Sequence, residues 1–306
     1  MNNNLLIVGG TGFLGSSITE EALKQGYNVT VVSKGHVPSE KKTKRVKYIS
    51  VDIANKIDLL IELDKNNFNY VINLAGYVDH SDYFDGGEEV VNVHLDGTLN
   101  LISCINKKHL IKYVQIGSSD EYGDNASPQN EAQREFPISP YSFAKTAATH
   151  FLQMLYRTEG LPIVVIRPFL VYGPGQNNSR FIPQVIKGCI SNEEFPVSKG
   201  EQLRDFCYIT DFVDAVFLIL KNEKTNGNVI NIASGNPVMI KDIINKIVLH
   251  LGFGIPKFDE IKYRKNENMK LYADITKARV ILGWQPKVNL DSGLKKTINW
   301  IKKTSF

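Results

Sequence analysis

The chain has 306 residues, 42% hydrophobic and 22% charged, which fits one large globular domain or two interlocked ones and excludes a disordered or low-complexity protein. Lys and Arg number 36 against 32 Asp and Glu; a net charge of +4 over this length argues against nucleic acid or a membrane surface as partner and suits an anionic small substrate. Three widely spaced cysteines (Cys104, Cys189, Cys207) build no disulfide framework, and no apolar run approaches the roughly 20 residues that cross a bilayer.

LLIVGG (Leu5–Gly10) reads as a strand, starting so early that no signal peptide and a reducing cytoplasm are expected. It runs into Gly9-Gly10-Thr11-Gly12-Phe13-Leu14-Gly15. In such a strand-to-helix turn the first glycine permits the bend, the second lets a pyrophosphate approach, and the third lets helix and strand pack closely. The helix pattern of Leu14–Gln25, closed by Gly26, offers its N-terminal N–H groups to the phosphates. A second strand, Tyr27–Ser33, ends in Ser33-Lys34 with no acid to take a ribose 2′-hydroxyl; a hydroxyl and a cation favour the 2′-phosphate of NADP, with NAD open. The basic stretch Ser39–Lys47 reads as a solvated loop. The third strand, Val46–Asp52, places Asp52 and Ile53 beside the adenine.

Further strands are expected at Tyr70–Gly76, Tyr113–Ser119 and Pro162–Pro168, separated by amphipathic stretches. Apolar strands alternating with helices predict an α/β fold, a doubly wound parallel sheet with right-handed crossovers. We read a dinucleotide-binding domain over 1–169 and a smaller α/β substrate region over 170–306, with a segment near 228–235 as a candidate to return to the main sheet.

Tyr141 and Lys145 open a helix four residues apart and share one face. An ammonium beside a phenol stabilises the phenolate, which makes Tyr141 a usable general acid and base. Ser118 and Ser119 stand at the carboxyl end of the fifth strand, where such sheets bind ligands, and either can hydrogen-bond a reacting oxygen.

The order GGTGFLG, strand-end Ser, YxxxK resembles the extended branch of the short-chain dehydrogenase/reductase superfamily, the NAD-dependent epimerases and dehydratases. NLAGYVDHS, NVHLDGTLNLI, RPFLVYGPGQ, RDFCYITDFVDAV and YADITKARVILGWQPK extend the likeness over nearly the whole chain. GSSDEYG looks most like the segment of GDP-4-keto-6-deoxy-mannose reductases. The resemblance implies a Rossmann domain and a catalytic set of Ser118, Tyr141 and Lys145, with Ser118 preferred over Ser119 for the catalytic hydroxyl. Asp120 stands where dehydratases carry Glu, one methylene shorter. Cofactor contacts are implied for Gly9, Thr11, Gly12, Phe13, Leu14, Gly15, Ser33, Lys34, Asp52, Ile53, Leu74, Ala75, Gly76, Pro168, Tyr141 and Lys145. Ser119, Arg204 and Arg264 fall at substrate positions, the arginines on the nucleotide phosphates. Leu170 departs from the family's Asn at a diphosphate contact.

The implied substrate is a nucleotide-diphosphate sugar, oxidised or reduced at C4. The first expectation is an NADPH-dependent 4-keto-6-deoxy nucleotide-sugar reductase. A 4-epimerase or 4,6-dehydratase with tightly bound NAD and a non-enzymatic NAD(P)-binding sensor remain as alternatives. The family habit implies a homodimer. Six histidines without metal-ligand spacing predict no metal site.

Overall fold

The computed structural model describes residues 3–64, 66–263 and 267–304. The first half alternates strand and helix: β1 (Asn4–Val8), α1 (Phe13–Lys24), β2 (Asn28–Ser33), β3 (Lys47–Ser50), α2 (Lys56–Leu63), β4 (Tyr70–Asn73), α3 (Glu88–Val91), α4 (Gly97–Cys104), β5 (Lys112–Ile116), α5 (Pro140–Glu159) and β6 (Ile163–Pro168). The second half runs β7 (Leu170–Tyr172), α6 (Phe181–Ser191), β8 (Glu194–Pro196), β9 (Leu203–Tyr208), α7 (Ile209–Leu220), β10 (Val229–Ile232), β11 (Pro237–Met239), α8 (Ile240–Leu251), β12 (Ile255–Lys257), β13 (Lys270–Leu271), α9 (Thr276–Leu282) and α10 (Leu290–Thr304).

Seven strands form the main sheet in the order β10-β6-β5-β4-β1-β2-β3. The pairings from β3 through to β6 are parallel. The chain moves outward from β1 to β3 and then crosses to β4 on the other side of β1. That reversal opens a crevice beyond the carboxyl ends of β1 and β4, where ligands bind in such sheets. Strands covered on both faces are mostly apolar, and β1, β5 and β6 are buried at nearly every position, Lys112, Gln115 and Arg167 included. Leu59, Leu63, Leu101, Ile102, Leu152 and Leu155 of the helices close over Leu6, Val71, Tyr113 and Val165 of the strands in one cluster. Each such side chain contributes about 1.5–3 kcal/mol when fully buried.

Contacts divide the chain into two compact units. One comprises residues 1–125, 131–168 and 213–230, the other 126–130, 169–212 and 231–306. The region 170–306 is therefore not continuous, and this corrects its reading as one domain. Residues 213–230 join the first unit because apolar Phe217 of α7 packs on Tyr27, 5.9 Å between ring centroids, and β10 adds to the main sheet. Within the second unit β9 pairs with β7, β11 and β13, while β8 and β12 make a separate parallel pair. Buried Trp284 donates from Nε1 to the Asp211 carbonyl at 3.1 Å.

Candidate active site

The glycine turn has the steric logic its sequence implies. Gly9 adopts φ +80, and a Cβ there would lie 3.0 Å from the Leu74 backbone. A Cβ on Gly15 would stand 2.4 Å from the Gly9 carbonyl oxygen. Gly12 differs, because its Cβ would meet nothing nearer than the Gly9 oxygen at 3.5 Å. No contact among the described residues demands glycine there, so the cleared space faces outward, with Thr11 and Gly12 exposed and Phe13 and Leu14 half-exposed. Gly12 caps α1 without any side-chain bond, leaving the helix N-terminus open for an anion. This cradle fits a dinucleotide pyrophosphate.

On the adenosine side, Lys34 is not a free cation. Its Nζ lies 3.0 Å from the Asp52 carboxylate and 3.7 Å from Glu89. Ser33 turns its hydroxyl onto the Gly35 carbonyl at 2.9 Å. Two carboxylates around one ammonium leave local negative charge beside Ser33. Ile53 is buried and receives Gly97, where a Cβ would come within 2.6 Å of its Cδ1. Leu74 and Ala75 are half-buried after β4, with the Leu74 N–H donating to the Val8 carbonyl at 2.9 Å. Pro168 closes β6.

Three local devices set the catalytic side chains. Ser118 caps the short turn Ser119–Tyr122 in a capping box with Glu121, and its Oγ accepts from the Asp120 N–H at 3.1 Å. Ser139 caps α5 with Pro140 at its first position, so Tyr141 is fixed in the first turn and Lys145 stands one turn further on the same face. Lys145 Nζ donates to the Ile116 carbonyl at 2.8 Å and lies 5.9 Å from the Tyr141 ring centroid. Ser118, Ser119, Tyr141 and Lys145 are all buried. Burial pushes the Lys145 ammonium down to about 8, against the pull of the Glu121 carboxylate.

Two histidines that sequence reasoning set aside flank Tyr141. His94 meets its ring edge-on at 5.1 Å, and His80 at 5.6 Å. Burial first, and the Lys145 charge second, push His94 to about 3, so its imidazole is neutral. One ring nitrogen, Nε2, is 2.8 Å from the Tyr77 carbonyl and therefore carries the proton. Gly76, at φ +112, is glycine for this ring: a Cβ would fall 1.9 Å from His94 Cε1. His80 lies 3.6 Å from the Asp120 carboxylate. No spacing rule announces either contact, because His80 comes from the loop after β4 and His94 from the helical turn Asn92–Asp96 between α3 and α4.

In the second unit Arg204 extends from β9, donates to the Leu203 carbonyl at 2.9 Å and forms an ion pair with Glu267. Leu170 on β7 is exposed at 37%. Arg264 lies outside the described residues. Among the described residues no group of three or more His, Cys, Asp or Glu side chains could hold a metal ion, and no helix is long and apolar enough to cross a membrane.

The sequence profile of the NAD dependent epimerase/dehydratase family matches residues 5–233. The chain belongs to this family. The likeness to the extended short-chain dehydrogenase/reductase superfamily, read from the motifs, thus holds. A UDP-glucuronate 4-epimerase of Thermodesulfobacterium geofontis is 30% identical over 97% of this chain and 96% of its own length. A probable dTDP-glucose 4,6-dehydratase of Sinorhizobium fredii is 27% identical over 97% and 92%. The structure of UDP-glucuronic acid 4-epimerase from Bacillus cereus, solved with UDP-glucuronic acid and NAD, superposes with a TM-score of 0.87, 28% identity and coverage of 98% and 99%. The family member is an α/β enzyme whose relatives act on nucleotide sugars.

Proposed function

We propose that this protein is a nucleotide-sugar 4-epimerase that works with a retained NAD. The observation that carries the reading is the Lys34–Asp52 pair at 3.0 Å beside an assembled Ser118, Tyr141 and Lys145. Carboxylates around Lys34 repel a 2′-phosphate and accept from a 2′-hydroxyl, so NAD replaces the NADP first expected. With NADPH goes the main reason for a reductase, and the relatives named above are an epimerase and a dehydratase. A nucleotide-diphosphate sugar is the substrate, its phosphates falling to Arg204.

The turn Gly9–Gly15, Asp52, Ile53, Leu74, Ala75, Gly76 and Lys145 would hold the dinucleotide, which when bound supplies a hydride acceptor and donor for sugar C4. Tyr141 takes the proton from O4 and later returns it. Ser118 already accepts the Asp120 N–H at its oxygen, which turns its hydroxyl hydrogen outward to donate to O4. Lys145 spends one N–H on Ile116 and keeps two for the cofactor and the phenolate. Ser119 is buried and Asp120 is shorter than the dehydratases' Glu and faces His80, which favours epimerisation over loss of water. The dehydratase among the relatives keeps a 4,6-dehydratase as the second reading. Exposed Phe143, His150 and Met154 line one face of α5 and support a homodimer through that helix. A cytoplasmic setting follows from the same nucleotide-sugar chemistry.

The test is to denature the purified protein and identify what it releases. Near-stoichiometric NAD supports the reading; NADP, or an empty site that then favours NADPH, overturns it.

A further inference from the structure

We propose that Glu121 is the positioning residue of this active centre, a sealed carboxylate that fixes Ser118 and supplies the counter-charge of Lys145. The inference rests on the Ser118–Tyr141–Lys145 reading above. Glu121 is completely buried and ties three elements together. Its Oε1 accepts the Ser118 N–H at 2.8 Å, and its Oε2 accepts from Thr149 Oγ1 of α5 at 2.8 Å and from Arg167 Nη2 of β6 at 2.7 Å. Gly117 is glycine for the same reason: a Cβ there would lie 2.3 Å from Oε1, so no other residue admits the carboxylate under Ser118.

Arg167 is equally buried. It stacks 4.5 Å over the Tyr122 ring, and its Nη2 also donates to Glu135 Oε1 at 2.6 Å, beyond which stands His150. Such a buried ion pair is a poor way to gain stability, because well-packed apolar residues do as well. What a carboxylate adds here is charge. Among the described residues, Lys145 faces neutral His94 from the helical turn before α4, Tyr141 from its own helix, the Ile116 carbonyl from β5, and Glu121. Of these four only Glu121 is an anion. Burial works to discharge the lysine and Glu121 works to keep it charged, so the cation that the phenolate needs depends on a residue that never touches substrate.

The experiment follows Lys145 directly, without turnover. Protein labelled with 13C at lysine Cε is titrated by NMR, with the Lys145 signal assigned by its loss in Lys145→Met. Lys112 serves as internal control: it too is buried and pushed down to about 8, but its partners are Asn222, Thr225 and Asn226. In Glu121→Gln, which keeps an acceptor for Ser118 and drops the charge, the Lys145 midpoint is expected to fall while that of Lys112 stays. An unmoved Lys145 midpoint overturns the counter-charge. Should that variant fail to fold, Glu121→Asp decides. It keeps the charge but withdraws from Ser118, so Lys145 should titrate as in the wild type while epimerase turnover drops about tenfold. Wild-type turnover in Glu121→Asp overturns the positioning of Ser118. A wild type without epimerase activity but with a Glu121-dependent Lys145 midpoint refutes the function and leaves the counter-charge standing.

Discussion

Lys145 is placed at a cost, and replacing it should make the protein more stable and inactive at once. Its ammonium titrates at about 8 in the folded chain against 10.5 for the free side chain. Below pH 8 both states are protonated, and keeping the buried charge costs on the order of 3 kcal/mol. Lys145→Met removes that cost in a side chain of similar length. Losing the hydrogen bond to the Ile116 carbonyl gives back about 1 kcal/mol. Glu121 retains Arg167 and Thr149 as partners and is not stranded. The net gain at pH 7 is about 2 kcal/mol, or roughly 3 °C in the unfolding midpoint for a chain of this size. The gain fades as pH rises: between about 8 and 10.5 the folded wild type is neutral while its unfolded chain is still protonated, so the penalty dwindles, and above that range only the lost hydrogen bond remains. Thermal unfolding of both proteins at pH 7 and pH 9.5, with turnover measured in parallel, checks this. The expected pattern is a stabilised, inactive variant at pH 7 whose advantage shrinks towards zero at pH 9.5. A variant less stable than the wild type at pH 7 would falsify the view that Lys145 is held charged against its burial.

Tyr141→Phe should retain NAD while turnover falls about 100-fold or more, the usual scale for a lost general acid and base; calorimetric NAD binding beside an activity assay decides, and near wild-type turnover removes Tyr141 from the proton path. Asp52→Asn releases Lys34 from its 3.0 Å partner, so the ratio of NADP to NAD affinity should rise about threefold or more, and an unchanged ratio separates Lys34 from cofactor choice. Arg204→Ala should raise KM for the nucleotide sugar, and Kd for the free nucleoside diphosphate, about tenfold, the worth of one charged hydrogen bond. Arg204→Lys should recover only part of it, because a point charge cannot bind in bidentate fashion. If nucleoside diphosphate binding is indifferent to Arg204, the phosphates are held elsewhere.

The glycine turn and the YxxxK helix were legible because each encodes one local geometry. Gly9 and Gly15 answer to backbone clearances, and Tyr141 and Lys145 to one helical face. Parallel strands were legible as short runs with apolar cores alternating with helical stretches. The surroundings of Lys34 were not legible because its neighbours in space are not its neighbours in sequence: Asp52 arrives with the next strand and Glu89 with α3. The return of residues 213–230 to the first unit was not legible for a like reason. A periodic apolar helix such as α7 does not declare which core it will join, and Phe217 chose Tyr27. Spacing speaks to His94 and His80 only as metal ligands, whereas their contact with Tyr141 needs the loop after β4 and the helical turn before α4 packed on α5. Glu121 was in plain view within GSSDEYG, but its partner Arg167 lies 46 residues away on the neighbouring strand.

The most direct test of the account is a single incubation in D2O. The purified protein, with no cofactor added, is given UDP-glucose, UDP-glucuronate or dTDP-glucose in turn, and the products are read by mass spectrometry and NMR. A C4 epimerase with retained NAD should convert at least one of these to its C4 epimer, with C4–H kept and no deuterium bound to carbon. Loss of water with deuterium on the sugar carbons would contradict it in favour of the dehydratase. A 4-keto sugar consumed only when NADPH is supplied would contradict it in favour of the reductase.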